Sequence, residues 1–182
     1  MSQSIELKLA TLADATLMAF MSRDLIETGL GWAWTPSRVT KSIRRSDTAS
    51  VVARLGSQMI GFAVAQFGDE EANLNLLAVR QDCQRLGIGR RLVDWLEESA
   101  RVAGVSVVRQ QVRAANVAAQ RFYQRLGYRE FGRIERYYAG RESATLMAHD
   151  LWEHPHAGSG AISPRRHNGA SSSGGLTPRK AK

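Results

Sequence analysis

The stretch from residue 74 to residue 104 constrains the fold most, because its hydrophobic period changes abruptly. Residues 74–79 form a short apolar run typical of a buried strand, whereas apolar residues recur with a helical period from Ile88 onward. Gly104 is the expected end of that helix. The residues that share its inward stripe are Ile88, Leu92, Trp95, Leu96, Ser99 and Ala103. A strand that leads into a long amphipathic helix predicts an α/β fold.

Two glycines lie between this strand and this helix, in the sequence Gln84-Arg85-Leu86-Gly87-Ile88-Gly89-Arg90. Glycine lets a backbone approach a ligand closely, and the free N–H groups at the start of the following helix favour a phosphate. A dinucleotide site would need a third glycine where Leu92 stands, and a nucleoside-triphosphate loop would need Gly-Lys-Ser/Thr, which is absent. The loop therefore predicts a pyrophosphate ligand other than the two commonest ones.

The rest of the chain predicts the element order β-α-α-β-β-β-α-β-α-β-β, which is an α/β fold with a mixed sheet. Thr11 and Thr35 are the expected caps of the first two helices, and the first of these would turn Leu17, Met21 and Leu25 inward. The predicted strands are residues 5–9, 50–54, 58–67, 74–79, 105–112, 128–137 and 144–151, and the last helix is 116–126.

Several classes of protein are excluded by composition. No apolar run approaches the roughly 18 residues of a membrane span, and the first residues lack the basic and apolar regions of a secretion signal. Cys83 is the only cysteine, so neither an internal disulfide nor a cysteine-based zinc site can form. We therefore expect a cytoplasmic protein that binds neither metal nor membrane.

The charge is distributed unevenly along the chain. The net charge is +8, and half of it lies after residue 152, in a segment rich in Gly, Ser and Pro. Such a composition predicts disorder, so we expect one domain over residues 1–152 and a disordered basic tail over 153–182. The domain itself is only modestly basic, so we expect no nucleic-acid partner. The oligomeric state is left open, with a homodimer as one alternative.

Three motifs follow one another in order. The first two resemble the acetyl-CoA-binding motif and the second sequence block of the GNAT superfamily of N-acetyltransferases, and the third is similar to the C-terminal signature of the RimI-type N-terminal acetyltransferases. The resemblance covers about residues 5–151. The motifs are Leu77-Ala78-Val79 with Gln84-x-x-Gly87-x-Gly89, then Asn116-x-x-Ala119-x-x-Phe122-Tyr123-x-x-Leu126-Gly127-Tyr128, then Tyr137-Tyr138-Ala139-Gly140-Arg141-Glu142 with Leu146-Met147-Ala148.

The resemblance implies a GNAT fold, which is a mixed, mostly antiparallel sheet of six to seven strands flanked by helices. The sheet would splay between strands 74–79 and 105–112 and leave a slot for a thioester. Acetyl-CoA would be the co-substrate. Its pantetheine arm would pair with the backbone of Leu77, Ala78 and Val79 and bond to Asn116. Its pyrophosphate would lie on the main-chain amides of Arg85, Leu86, Gly87, Ile88, Gly89 and Arg90.

The resemblance makes Tyr123 the catalytic residue, because the matching tyrosine protonates the leaving thiolate as a general acid. The alternative is that Tyr123 is a core aromatic of an amphipathic helix. Phe122 is the better candidate for packing alone, because a buried phenol needs a partner. The catalytic role is the interpretation we favour.

The general base is not assigned by the sequence. Gln111 stands where RimI-type enzymes have a glutamate, five residues before the motif asparagine, and Asn73 stands where another branch has one. Neither amide can accept a proton at neutral pH. Glu70 or Glu71 acting through water is one alternative, and an amine that arrives already neutral is another. Both glutamates are also explained as solvated turn residues.

The acceptor cleft is expected between the early helices and the last hairpin. Trp32 and Trp34 are either an aromatic flap over this cleft or staples that hold two helices to the sheet. One of Tyr137 and Tyr138 should face the core and the other the cleft, because strand residues alternate. We expect an ion pair between Arg141 and Glu142, and we expect Cys83 to pack rather than to react.

The function that these patterns favour is transfer of an acetyl group from acetyl-CoA to a primary amine by direct attack in a ternary complex. The acceptor would be a protein N-terminus or a small amine. The alternative is an acyl-CoA-binding sensor or adaptor that has lost catalysis and contacts nucleic acid through its basic tail. The intact glycine loop without an evident base favours this alternative, and the presence of Tyr123 opposes it.

Overall fold

The computed structural model describes residues 4–152, and the predicted tail, 153–182, lies outside the described residues. The element order is the one that the sequence predicts. The elements are β1 (Ile5–Leu9), α1 (Ala15–Leu25), α2 (Pro36–Ile43), β2 (Thr48–Leu55), β3 (Gln58–Phe67), β4 (Glu71–Val79), α3 (Ile88–Val102), β5 (Val107–Arg113), α4 (Val117–Arg125), β6 (Arg129–Tyr138) and β7 (Glu142–Asp150).

The seven strands form one sheet in the order β1-β2-β3-β4-β5-β7-β6. Strands β4 and β5 are parallel, whereas the other neighbours are antiparallel. The parallel pairing ends at Asn73 and Arg109, after three residue pairs. Beyond that point the two strands separate, and we call the gap between them the fork. The predicted mixed, mostly antiparallel sheet that splays between the strands 74–79 and 105–112 is thereby confirmed.

A β-bulge in β4 lies directly beside the fork. Leu74 pairs with Ala65 and Leu76 pairs with Val64, so Asn75 is the extra residue on β4. A bulge bends its strand and increases the local twist, which helps β4 to diverge from β5. The fork therefore has a local cause in the strand as well as in the packing around it.

Each face of the sheet is covered by one pair of helices. One core cluster packs β-strand residues against α3 and α4, with Leu92, Leu96 and Val108 at its centre. The other packs the opposite face against α1 and α2, with Met18, Val39 and Phe62. Gly61 on β3 is required by this packing, because a Cβ there would lie 2.9 Å from the Ala78 carbonyl oxygen.

Two details of the predicted helices are wrong. Leu17 is 47% exposed, and α1 instead buries Ala15, Met18, Ala19, Met21 and Ser22. The face that packs on the sheet runs through Met18 and its neighbours one turn away, and Leu17 points outside it. Ala103 is exposed beyond the end of α3, whereas Ile88, Leu92 and Leu96 are buried as predicted. No helix within residues 4–152 is both long and apolar enough to cross a membrane.

Candidate active site

The glycine loop forms an anion cradle at the N-terminus of α3. Arg85 and Gly87 adopt left-handed backbone angles, with φ of 66° and 77°. The amide of Arg91 donates to the Gly87 carbonyl oxygen at 3.1 Å and begins the helical ladder, so the amides of residues 88–90 belong to the first turn, which has no intrahelical acceptor. Unpaired N–H groups and the positive end of the helix dipole favour an anion here.

Glycine is favoured at positions 87 and 89 of the loop for different structural reasons. A Cβ at Gly87 would meet nothing within 4 Å, so its positive φ is what favours glycine. A Cβ at Gly89 would lie 3.2 Å from the Phe122 ring, on the side that faces α4. Glycine at position 89 therefore lets α3 and α4 approach each other, and the contribution of its amide to ligand binding stays a prediction.

The exit of β4 presents one paired edge and one unpaired edge. Leu77, Ala78 and Val79 pair with Ala63, Phe62 and Gly61 of β3, and β5 has already diverged on their other side. The Val79 carbonyl oxygen accepts a hydrogen bond from Gln84 Nε2 at 3.2 Å, which ties the glycine loop to the strand end. An extended ligand could pair with the unpaired edge as an added strand.

Tyr123 is buried on α4, with 6% of its surface exposed. Its ring packs edge-on against Phe122 and Tyr128, with centroids 5.0 and 5.3 Å away. Desolvation raises the pKa of the Tyr123 phenol well above its usual value, and the neighbouring Tyr138 raises it further. The phenol is therefore protonated throughout the neutral range and can act as a proton donor.

Asn116 caps the N-terminus of α4. Its side-chain oxygen accepts a hydrogen bond from the Ala119 amide at 3.0 Å. This cap explains an asparagine at the position without a ligand. The residue is exposed, and the predicted bond to pantetheine would use its side-chain NH₂ group rather than the oxygen.

The hairpin between β6 and β7 reaches across to the fork. The Tyr138 hydroxyl donates to the Gln111 carbonyl oxygen on β5 at 2.9 Å. Tyr137 packs edge-on against Tyr138 and is 46% exposed. The two tyrosines differ in burial, and that one faces the core and the other the cleft stays a prediction. Nothing in the sequence indicates that a backbone carbonyl of β5 is the partner of Tyr138.

The residues considered for the general base lie near the fork, but their contacts do not assign any of them as the base. Asn73 is the last β4 residue paired with β5, and Gln111 lies two residues beyond Arg109 on β5. Glu71 forms an ion pair with Arg109 at 2.5 Å. The backbone carbonyl of Glu70 accepts from Ser106. Residues 4–152 contain no group of three or more His, Cys, Asp or Glu side chains that could hold a metal ion.

A buried glutamate organises the loop between α1 and α2, and sequence analysis missed it. Glu27 is 8% exposed. Its carboxylate accepts from Ser22 Oγ at 2.8 Å, from the Ala33 amide at 2.6 Å and from the Trp34 amide at 3.2 Å. The position of Glu27 in the sequence gives one hint that it has such partners. A helix dipole disfavours an anion directly after the C-terminus of α1 unless hydrogen bonds stabilise that anion.

The ion pair that holds the last hairpin is different from the predicted one. Glu142 binds Arg113 at 2.7 Å, not Arg141, and Arg113 also donates to the Thr28 carbonyl oxygen at 2.9 Å. Arg113 lies on β5, the strand next to β7, and is paired there with Ala144, two residues from Glu142. The strand pairing therefore brings its side chain to Glu142. Arg113 thereby joins the α1–α2 loop to the hairpin beside the fork.

The two tryptophans of the α1–α2 loop act as staples. Both pack against the core cluster under α1 and α2. The Trp32 indole N–H donates to the Ala19 carbonyl oxygen at 3.2 Å, and its ring stacks on Phe20 at 5.6 Å. The stapling alternative therefore explains Trp32 without an acceptor. Cys83, beside the loop, is partly buried, and burial raises the pKa of its thiol, which opposes a nucleophilic role.

Comparison with known proteins agrees with the resemblance described in the sequence analysis. The family model described as "Acetyltransferase (GNAT) family" matches residues 18–128. The chain is 39% identical over 94 residues to the [ribosomal protein bS18]-alanine N-acetyltransferase of Escherichia coli K12, and 34% identical over 97 residues to an uncharacterized N-acetyltransferase of Methanocaldococcus jannaschii. These alignments span 50% and 53% of this chain, and 64% and 62% of the relatives.

Two solved structures extend the similarity to the fold. The crystal structure of the ribosomal-protein-S18-alanine N-acetyltransferase from Escherichia coli superposes with a TM-score of 0.72 at 25% identity, over 88% of this chain and 100% of that one. The PaiA N-acetyltransferase from Thermoplasma acidophilum, solved in complex with coenzyme A, has a TM-score of 0.67 at 21% identity, over 81% and 99% of the two chains. The second likeness concerns the fold alone.

Proposed function

The chain belongs to the acetyltransferase (GNAT) family, and on that premise we propose that it transfers the acetyl group of acetyl-CoA to a primary amine. The amine nitrogen attacks the thioester carbon directly, the C–N bond forms and the C–S bond breaks. The amine loses one proton, and the departing thiolate takes one from Tyr123. No covalent acetyl-enzyme is needed.

The observation that supports this proposal is the fork between β4 and β5. Pairing stops after Asn73, and the unpaired edge of residues 77–79 leads from the fork to the anion cradle of α3. Pantetheine contains amides that can pair with such an edge, and its pyrophosphate suits the helix N-terminus. In this arrangement the thioester lies in the fork, where a backbone amide near Val79 stabilises the oxyanion.

Tyr123 is the proposed acid. A general acid must hold its proton until the leaving group develops charge, and the Tyr123 phenol is protonated at neutral pH. Burial raises its pKa further and makes it a weaker acid, so the role rests on its position in the family motif and not on the pKa. Its place on α4, between Phe122 and Tyr128, fixes the ring so that little motion is needed during the reaction.

The proposed acceptor is the α-amine of a protein N-terminus. Both positions at which a carboxylate base is expected hold amides, Gln111 and Asn73, so the amine should arrive neutral or lose its proton to water. An α-amine has a pKa near 7.7, so roughly a tenth or more of it is neutral at pH 7, whereas a lysine side chain is neutral in less than about one molecule in a thousand. The name of the 39% identical relative, which acts on the alanine of a ribosomal protein, agrees with this choice. A ribosomal protein would be acetylated in the cytoplasm.

The proposal is tested by mass spectrometry of short peptides incubated with the enzyme and acetyl-CoA. Each peptide is offered in three forms: with both amines free, with a blocked N-terminus, and with a blocked lysine. We expect acetylation of the first and third forms at the N-terminus only. Acetyl-CoA binding without acetylation of any peptide or small amine would favour the sensor alternative.

A further inference from the structure

A basic groove lies between α2 and the sheet, outside the site described above. Its volume is about 220 Å³, and the lining residues that matter here are Trp34, Arg38, Lys41, Arg45, Gln66 and Asn75. The groove is open to solvent, so a side chain of a bound peptide can enter it.

Two of its three cations have no carboxylate partner within residues 4–152. Arg45 is neutralised, because Asp47 accepts from it at 2.8 and 2.5 Å. The Arg38 guanidinium carbon lies 4.3 Å from the centre of the Trp34 ring, and its Nη1 donates to the Ala33 carbonyl oxygen at 3.5 Å. Arg38 is thus held in place by partners that carry no negative charge. Asp47 also accepts from the lining residue Gln66, but its charge is matched by Arg45, so Arg38 and Lys41 leave the groove positively charged.

The groove begins beside the fork. Asn75 lines it and is also the bulged residue of β4, two positions beyond the last residue paired with β5. Two strand residues span roughly 7 Å, so a chain whose N-terminal nitrogen reached the fork could place its next side chains in the groove. Trp34, at the other wall, is held by the Glu27 carboxylate through its amide.

We propose that this groove binds the carboxylate of an acidic residue close to the N-terminus of the acceptor. This inference rests on the proposed function and specifies its substrate class. An arginine fixed on an aromatic ring presents its N–H groups to a carboxylate with little loss of side-chain freedom, and Lys41 adds a second charge-assisted bond. A nucleic-acid strand would need a longer row of unpaired cations than the two available here.

The test uses two eight-residue peptides that differ only in having Glu or Gln at the second and third positions. Affinity is measured by isothermal titration calorimetry in the presence of CoA, and kcat/KM is measured with acetyl-CoA. We expect the Glu peptide to bind, and to be used, about tenfold better, with a preference that declines as salt is raised. Equal affinities for the two peptides would overturn the inference, whether or not either is acetylated.

Charge reversal makes the test specific to the groove. In Lys41→Glu the preference for the Glu peptide should disappear or reverse, and a peptide with Lys at the same positions should bind more tightly than it does to the wild type. Arg44→Glu is the matched control, since it changes the charge by the same amount at the basic end of α2 but at a residue that does not line the groove. A preference that survives Lys41→Glu, or that Arg44→Glu removes equally, would refute the assignment.

Two further results distinguish the groove from the catalytic fork and from a nucleic-acid site. A Glu preference seen in calorimetry without acetylation of either peptide would contradict the proposed function while supporting the groove. Equal peptide affinities, combined with tight binding of a mixed-sequence oligoribonucleotide that Lys41→Glu abolishes, would replace the acidic acceptor by nucleic acid.

Discussion

Replacement of Glu27 by glutamine should destabilise the domain although the two side chains have the same shape. The buried carboxylate accepts from Ser22 Oγ and from the amides of Ala33 and Trp34. Glutamine keeps one oxygen and places an NH₂ group where the other oxygen accepted. In its better orientation glutamine keeps the oxygen that accepts from both amides and donates its NH₂ to Ser22 Oγ, so the three bonds remain but lose their charge assistance.

The expected loss follows from the number of bonds. A hydrogen bond to a charged group contributes more than a neutral one, and if each of the three loses roughly 0.5–1 kcal/mol, the free energy of unfolding falls by about 1.5–3 kcal/mol. For a domain of this size each kcal/mol lowers Tm by about 2–4 °C, which gives a decrease of roughly 3–12 °C. Thermal unfolding followed by circular dichroism measures it.

The matched control is Glu98→Gln. Glu98 is 70% exposed on α3 and forms only a surface ion pair with Arg101, so its replacement should change stability by less than about 0.5 kcal/mol. The same decrease in Tm for both variants would refute the structural role of Glu27. Because Glu27 holds the loop that lines the α2 groove, its variant should also raise KM for the acceptor more than it lowers kcat.

Three other perturbations test the packing and the charges around the fork. Gly61→Ala brings a Cβ within 2.9 Å of a backbone carbonyl oxygen and should lower the free energy of unfolding by about 1–3 kcal/mol. Gly132→Ala is the control, because its Cβ would have its nearest contact at 3.5 Å and should change stability little. Equal midpoints of urea unfolding for the two variants would contradict this. Gly89→Trp must displace Phe122, so Tm and acetyl-CoA affinity should fall together, and normal affinity would discredit the cradle. The pKa of the Glu142 carboxyl is held below its usual 4.5 by its ion pair, so its stabilisation is present at neutral pH and is lost as the pH falls through the lowered pKa. The stability difference between wild type and Glu142→Gln should therefore shrink below about pH 4.5, and a constant difference in urea titrations at several pH values would refute it.

The helices and strands were predictable where neighbouring residues in the sequence determine them. The change of period at Ile88, the glycine pair before α3 and the threonine caps are features of neighbouring residues, and the structure has the predicted element order. The extent of the fork was predictable only through resemblance, because it depends on where two distant strands stop pairing.

The errors and omissions arise from contacts between distant parts of the chain. Glu142 was paired with the adjacent Arg141, yet the sheet brings it to Arg113, 29 positions away. A stripe through Leu17 fits the helical period, but α1 packs on the sheet through a face that contains Met18 and Met21, and Leu17 lies outside it. The bond from Tyr138 to the Gln111 carbonyl oxygen has no sequence pattern, since any residue supplies a carbonyl.

The central claim is acetyl transfer at the fork with Tyr123 as the acid, and thiol release from acetyl-CoA in the presence of an N-terminal peptide tests it most directly. Tyr123→Phe should lower kcat by about 100-fold and leave acetyl-CoA affinity nearly intact. Tyr128→Phe is the control, because it removes a hydroxyl from a second buried ring, which packs between Tyr123 and His149. Acceptor-dependent release that only Tyr123→Phe reduces would support the account. Release at the wild-type rate in Tyr123→Phe would contradict it.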